Sequence, residues 1–226
     1  MQKGDFVYIS YVGRIKESGE IFDTTSEEIA RKEGVYNPEI KYGDIPIIIG
    51  AGFVIPGLEE ELEKMNVGEK KVVEIEPKKA FGERRDDLIR LIPEIEFKKQ
   101  NIDVKVGDFV NVNGITGRVL SVNAGRVRVD FNHPLAGKAL VYEVEIKKQV
   151  TETKEKIYAI LKYFSNLDES IANVKIENGE AEIEIKGLQI ANRVKENIIK
   201  TIFQWIREIN KIKFSEVYEK NEKSKS

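Results

Sequence analysis

The sequence predicts an α+β protein built in three parts, and three observations carry that reading. Residues 6–15, 70–76 and 140–146 alternate aromatic or β-branched side chains with polar ones, the pattern of half-buried strands, and a proline-opened amphipathic run at 56–65 supplies a helix. Residues 84–131 break that style, with short alternating runs separated by turn dipeptides that read as a compact all-β unit of three or four strands. From Thr151 a third style begins, with two amphipathic helical runs around a hairpin, which reads as an α/β unit.

The elements follow in order. Phe6 to Ile15 is a strand, Lys16 to Glu20 a turn, and Ile21-Phe22 opens a second strand. Thr24 to Asp44 is polar and irregular, a long surface loop with room for a short helix. Ile45 to Ile49 is a short apolar strand stopped by Gly50. Pro56 suits a first helical turn, where its missing N–H would have no partner. Leu58, Leu62 and Met65 make the buried stripe of that helix, and Glu59, Glu60, Glu61 and Glu63 face solvent. Lys70 to Glu76 is a strand stopped by Pro77.

Within 84–131, Leu88 to Ile92 runs up to Pro93, and three alternating runs follow at 109–112, 117–122 and 126–131, divided by Asn113-Gly114 and Asn123-Ala124-Gly125. Leu140, Tyr142, Val144 and Ile146 then share one face in the earlier style, so the middle unit reads as an insertion into the first domain. Ile157, Ile160, Leu161 and Phe164 fit one helical face. Val174–Ile176 and Ala181–Ile185 flank Asn178-Gly179 as a hairpin with a two-residue turn. Val194 to Ile209 reads as a second helix, a strand follows through Phe214 and Val217, and Glu219 to Ser226 is a charged tail expected to fray.

Composition removes several classes of function. With no cysteine, disulfides, thiolate metal sites and cysteine nucleophiles are excluded, and a single histidine argues against His-clustered metals and His-based triads. The net charge of −2 gives no general reason to bind nucleic acid or an anionic membrane. Residues 193–226 hold 9 Lys/Arg against 5 Asp/Glu, a margin too small to favour nucleic acid through Trp205. No apolar run nears the ~20 residues of a bilayer span and no secretory segment opens the chain, so the expectation is a soluble, cytoplasmic protein.

Phosphate cradling is not supported either, since Gly50-Ala51-Gly52 lacks the third glycine and the Lys-Ser/Thr. Glu59-Glu60-Glu61 reads as a solvated helix face rather than paired catalytic carboxylates. What remains is Tyr11, Phe22, Ile45, Val54, Ile55, Leu58, Phe81 and Tyr142 with one acid, Asp23, among them; alone, such a set is more often plain core.

Their order and spacing along the chain point further. Tyr11-Val12-Gly13, Gly19-Glu20-Ile21-Phe22-Asp23-Thr24, Ile48-Ile49-Gly50, Phe53-Val54-Ile55-Pro56-Gly57-Leu58-Glu59, Val67-Gly68-Glu69-Lys70, Ala80-Phe81-Gly82 and Val141-Tyr142-Glu143-Val144 resemble, in order and spacing, the FKBP-type peptidyl-prolyl cis/trans isomerases. Asn132-His133-Pro134-Leu135-Ala136-Gly137-Lys138 resembles the segment that closes the inserted flap domain in the SlyD-like branch, and the overall length resembles its long archaeal members. The resemblance covers about residues 1–149 and leaves 150–226 outside it.

The resemblance implies an FKBP half-barrel of antiparallel strands around one helix, from residues 1–83 plus 132–149, an insert-in-flap chaperone domain at 84–131 and a C-terminal domain at 150–226. It implies Tyr11, Asp23, Ile55 (through its N–H) and Tyr142 as catalytic groups, and Phe22, Ile45, Val54, Leu58, Phe81 and Leu140 as substrate-binding ones, with no cofactor and no metal. Phe81 stands where most relatives carry Tyr, and Tyr142 where many carry Phe. The implied partners are unfolded clients with X–Pro bonds, without nucleic acid or membrane. Residues 150–226 are expected to form a homodimer contact through their long apolar helix. A binding-only chaperone on the same scaffold is the alternative function.

Overall fold

The computed structural model describes residues 1–218; the tail from Glu219, expected to fray, lies outside the described residues. The chain folds as two compact units, one of residues 1–75 with those from 140 onward, the other of residues 76–139. The first unit opens with β1 (Phe6–Ile15), β2 (Ile21–Thr24), α1 (Glu27–Lys32), β3 (Ile45–Ile48), α2 (Pro56–Leu62) and β4 (Lys70–Ile75). The second holds β5 (Ile89–Pro93), α3 (Glu94–Lys98), β6 (Phe109–Val112), β7 (Ile115–Asn123) and β8 (Arg126–Asp130). The first then resumes with β9 (Leu140–Val150), α4 (Thr153–Ser165), β10 (Ala172–Glu177), β11 (Glu180–Lys186), α5 (Asn192–Trp205) and β12 (Lys211–Val217).

The first unit is organised by β1. Its residues 6–9 pair with β3 and its residues 12–14 with β2, while β9 runs antiparallel along its other side from Phe6↔Val150 to Ile15↔Leu140. β4 completes the antiparallel sheet on the far side of β9. The helix α2 stops at Leu62, yet Leu58, Leu62 and Met65 are all buried as the apolar stripe requires.

The C-terminal segment is a mixed three-stranded sheet. β10 and β11 form an antiparallel hairpin across Asn178-Gly179, both with positive φ, a conformation glycine adopts at no steric cost and asparagine tolerates. β12 returns parallel to β11 after α5. Helix α4 lies against β3, β10 and α5. Ile157, Ile160 and Leu161 of α4 are buried together with Ile183 and Ile198, and Phe6, Ile48 and Val150 of the first sheet join the same core. Ile206 and Ile209, expected on the helix, lie just past its end at Trp205 but are still buried.

The second unit is an antiparallel sheet in the order β5-β8-β7-β6, and the insert read at 84–131 lies within it. The sequence pattern predicts strands alone, but α3 is a short helix that places Phe97 on the buried Val104, Val110, Val119, Val127 and Val129. A Cβ on Gly117 would sit 2.6 Å from Val129 and 2.7 Å from Phe131, so only glycine lets that ring lie across β7. Among the described residues no helix is long and apolar enough to cross a membrane.

Candidate active site

Strand register assembles the aromatic cluster of the first unit. Gly13 pairs with Asp23 on one side and with Tyr142 on the other, and antiparallel partners share a face of the sheet. Tyr11, two residues before Gly13, lies on that face as well. The pairing of β1 with β2 skips one residue between Gly13↔Asp23 and Arg14↔Ile21, and the residue skipped is Phe22. Such a bulge re-aims a side chain. Here it delivers the Phe22 ring onto Gly13, where a Cβ would lie 2.7 Å from the ring.

The result is a close aromatic group. Tyr142 meets Tyr11 at 5.5 Å with a 57° tilt and Phe22 edge-on at 5.7 Å. The Tyr11 hydroxyl donates to Asp23 Oδ2 at 2.6 Å. The Tyr11 backbone is fixed in turn: its N–H donates to Thr25 Oγ1, and its carbonyl accepts from the Thr24 and Thr25 hydroxyls and the Thr25 N–H. Burial raises the Tyr11 pKa, and the charge of Asp23 and the hydrogen bond to it raise it further. Tyr142 is raised for the same first reason, with Asp23 adding to it. Both rings therefore stay neutral at physiological pH.

The Tyr142 hydroxyl has no hydrogen-bond partner among the described residues, although none of their buried side-chain nitrogen or oxygen atoms lacks one. The hydroxyl is therefore not sealed from solvent, although the residue as a whole is buried at 5% exposure. Val54 and Ile55 are half-buried at the entrance to α2, with Ile55 extended (φ −61°, ψ 147°) as its N-terminal flank. Among the described residues the Ile55 N–H donates to no acceptor, while its carbonyl accepts from Leu58 and Glu59. Leu58 and Leu140 are fully buried, Leu140 between its strand partners Ile15 and Ile75. Ile45 is half-buried beside Ile9.

Phe81 belongs to the second unit, where its ring stacks on His133 at 4.3 Å and 2°. His133 also fixes its own loop, Nδ1 accepting from the Leu135 N–H. Asn132 beside it closes the neck of that unit: its side chain accepts from the Arg85 N–H and donates to the Arg85 carbonyl, holding incoming and outgoing chain together.

Two arrangements escaped the sequence. Glu59 does not face solvent as expected; its Oε1 accepts from the Gly50 and Gly52 N–H groups and so clamps the turn leading into α2. The spacing of Glu59 from Gly50, with an acid just inside a helix start, is the local signal that could have found it. Phe53 stacks on Tyr163 of α4 at 4.0 Å, a contact across 110 residues for which no local signal exists. Among the described residues no group of three or more His, Cys, Asp or Glu side chains could hold a metal ion.

Comparison with known proteins agrees with this geometry. A family model described as FKBP26, IF domain, matches residues 90–135. The short-type peptidyl-prolyl cis-trans isomerase of Methanocaldococcus jannaschii is 36% identical over 147 residues, 65% of this chain and 92% of its own. The probable FKBP-type 16 kDa peptidyl-prolyl cis-trans isomerase of Pseudomonas fluorescens is 37% identical over 103 residues, 43% of this chain and 67% of its own. The FKBP-type peptidyl-prolyl cis-trans isomerase SlyD of Aeromonas hydrophila is 32% identical over 145 residues, 62% of this chain and 61% of its own. With 92% of the archaeal relative covered at 36% identity, this chain belongs to the FKBP-type peptidyl-prolyl cis-trans isomerase family.

Proposed function

We propose that this chain accelerates proline-limited protein folding, twisting X–Pro amides in the aromatic site of the first unit and capturing clients on the second. The barrier to X–Pro rotation is ~18–20 kcal/mol and arises from amide resonance. No bond to carbon breaks, so the reaction needs no nucleophile, metal or cofactor. The planar amide is more dipolar than the twisted one, and a dry aromatic surface favours the twisted form relative to it. Fixed donors that meet the carbonyl only when it is twisted lower the barrier further.

The observation that carries this reading is the Tyr142 hydroxyl, neutral, not sealed from solvent and without a hydrogen-bond partner among the described residues. It stands beside a Tyr11–Asp23 pair whose geometry is already fixed. In this reading Ile55 N–H anchors a client carbonyl, Tyr11 and Asp23 set the field near the rotating amide, and Tyr142 supplies a hydroxyl donor to it. Phe22, Ile45, Val54, Leu58 and Leu140 form or support the apolar surroundings.

Client capture is supported by what the second unit leaves uncovered. Leu91, Ile95, Val106, Phe109 and Ile115 are 55–67% exposed, and a cleft of about 670 Å³ is lined by Leu91, Ile92, Phe97, Ile115 and Phe131 among others. Tethered capture raises the local concentration of client at a second site. The homodimer reading has Phe203, 45% exposed on α5, as its support. Because the C-terminal segment shares its core with β1 and β9, the test is Phe203→Glu in the full chain rather than truncation: sedimentation that stays monomeric for both proteins ends it.

The decisive experiment is a proline-limited refolding assay with the full chain and with Tyr142→Phe, beside a tetrapeptide isomerisation assay. Acceleration by the full chain and a clear loss in the variant support the reading. A chain that suppresses aggregation yet leaves both rates at the uncatalysed value is a binding-only chaperone, the alternative that the missing Phe81 hydroxyl favours.

A further inference from the structure

Tyr163 lies on α4, in the segment outside the motif resemblance, yet it reaches the entrance of the site. Its ring stacks on Phe53 at 4.0 Å and 21°, and its hydroxyl donates to the Phe53 carbonyl at 3.2 Å. Phe164 meets both rings edge-on, at 5.9 Å from Phe53 and 5.1 Å from Tyr163. Phe53 stands two residues before Ile55, within about 7 Å of chain. The same tyrosine lines a cleft of about 290 Å³ with Tyr42, Ile45 and Pro46, whose rim carries Lys41, Asp44 and Lys162. Lys162 Nζ donates to the Asp44 backbone carbonyl, tying α4 to the 41–46 segment, and Lys41 pairs with Asp168. Ile45 thus borders this cleft while pairing with β1. Tyr163 is 38% exposed, so one ring face is held by Phe53 while part of the ring stays accessible.

We propose that Phe53, Tyr163 and this cleft form an aromatic subsite for a bulky apolar side chain flanking the client proline, with Tyr163 its specificity-determining residue. The occupant follows from the walls: Tyr42, Ile45, Pro46 and Tyr163 present aromatic and aliphatic faces, and the two rim lysines are each held by a protein oxygen, which favours an apolar ring over an anionic group. Continuity follows from Ile45, which the subsite shares with the isomerase site, and from Phe53, which stands two residues before Ile55. The assignment rests on the isomerase reading for its meaning, but it makes its own prediction about binding.

The test measures Kd by fluorescence anisotropy for labelled proline peptides carrying Phe, Leu or Ala on either side of the proline, using the full chain. Wild type is expected to prefer the Phe-flanked peptides. Tyr163→Ala should weaken those about 3- to 10-fold while moving the Ala-flanked ones less than about twofold, and Tyr163→Phe, which keeps the stack, should retain the preference. In wild type, the Tyr163 ring signals should shift on adding a Phe-flanked peptide and not an Ala-flanked one. A uniform loss across all peptides, no loss at all, or unmoved Tyr163 signals would overturn the subsite. Wild type that binds with this preference but leaves isomerisation uncatalysed sinks the isomerase reading and leaves the subsite standing.

Discussion

The two units treat apolar surface in opposite ways. In the first, the aromatic rings of the site are packed against each other and held by strand register, and Tyr11 is fixed through its hydroxyl to Asp23 and through its backbone to Thr24 and Thr25. In the second, a core of six buried residues supports a sheet whose outer faces leave Leu91, Phe109 and Ile115 more than half exposed. A group that must recognise a twisted amide needs fixed donors, and fixed donors need a rigid surround. The proposed capture of many unfolded sequences would need area and tolerance instead, which a small core with exposed apolar side chains supplies.

That contrast can be broken most severely at the small core. Phe97→Ala removes the largest side chain from it and should destabilise the second unit by about 3–5 kcal/mol. Hydrogen exchange would show this as lost protection in β5 to β8 with β1 and β9 unaffected; equal loss in both units would mean that they fold as one. Next comes replacement of residues 86–130 by a short loop, which leaves the Arg85–Asn132 staple in place. Acceleration of protein refolding should fall about 100-fold while tetrapeptide turnover changes less than about threefold. Similar losses on both substrates would remove the division of labour.

A smaller effect is expected inside the site. Tyr142→Phe should lower turnover about tenfold, the rate equivalent of one hydrogen bond, with the melting temperature unchanged. Because Tyr11 and Tyr142 are both raised above the ordinary tyrosine pKa of 10.0, turnover should be flat between pH 7 and that value. A raised folded-state pKa contributes stability that is complete below the unfolded pKa and is lost as pH rises past it, so the first unit should weaken in alkali above about pH 10.

The smallest effect lies on the surface of α2. Hydrogen bonds from Lys64 and Lys71 hold the Glu61 carboxyl at about 2, against 4.5 unperturbed. A depressed folded pKa stabilises above the unfolded value and is lost as pH falls through the folded one. Glu61→Gln should therefore cost about 1 kcal/mol or less at neutral pH and flatten the acid limb between about pH 4.5 and 2 in urea titrations.

Alternation, turn dipeptides and a proline-opened helix determined, from sequence alone, the strands of the first unit, the strand runs of the middle segment and the hairpin at Asn178-Gly179, because period and backbone preference are local properties, whereas the candidate site residues were legible only through the order and spacing of the motifs that resemble the family. The helix at Glu94–Lys98 was hidden because five residues are too few to display a period, and packing of Phe97 decides it. The placement of Phe22 was hidden because a bulge exists only once two strands pair. Only tertiary structure could set Tyr163 on Phe53 and merge α4 into the core beneath β1: those contacts join residues over a hundred positions apart, and their free energy exists only when the chain has closed.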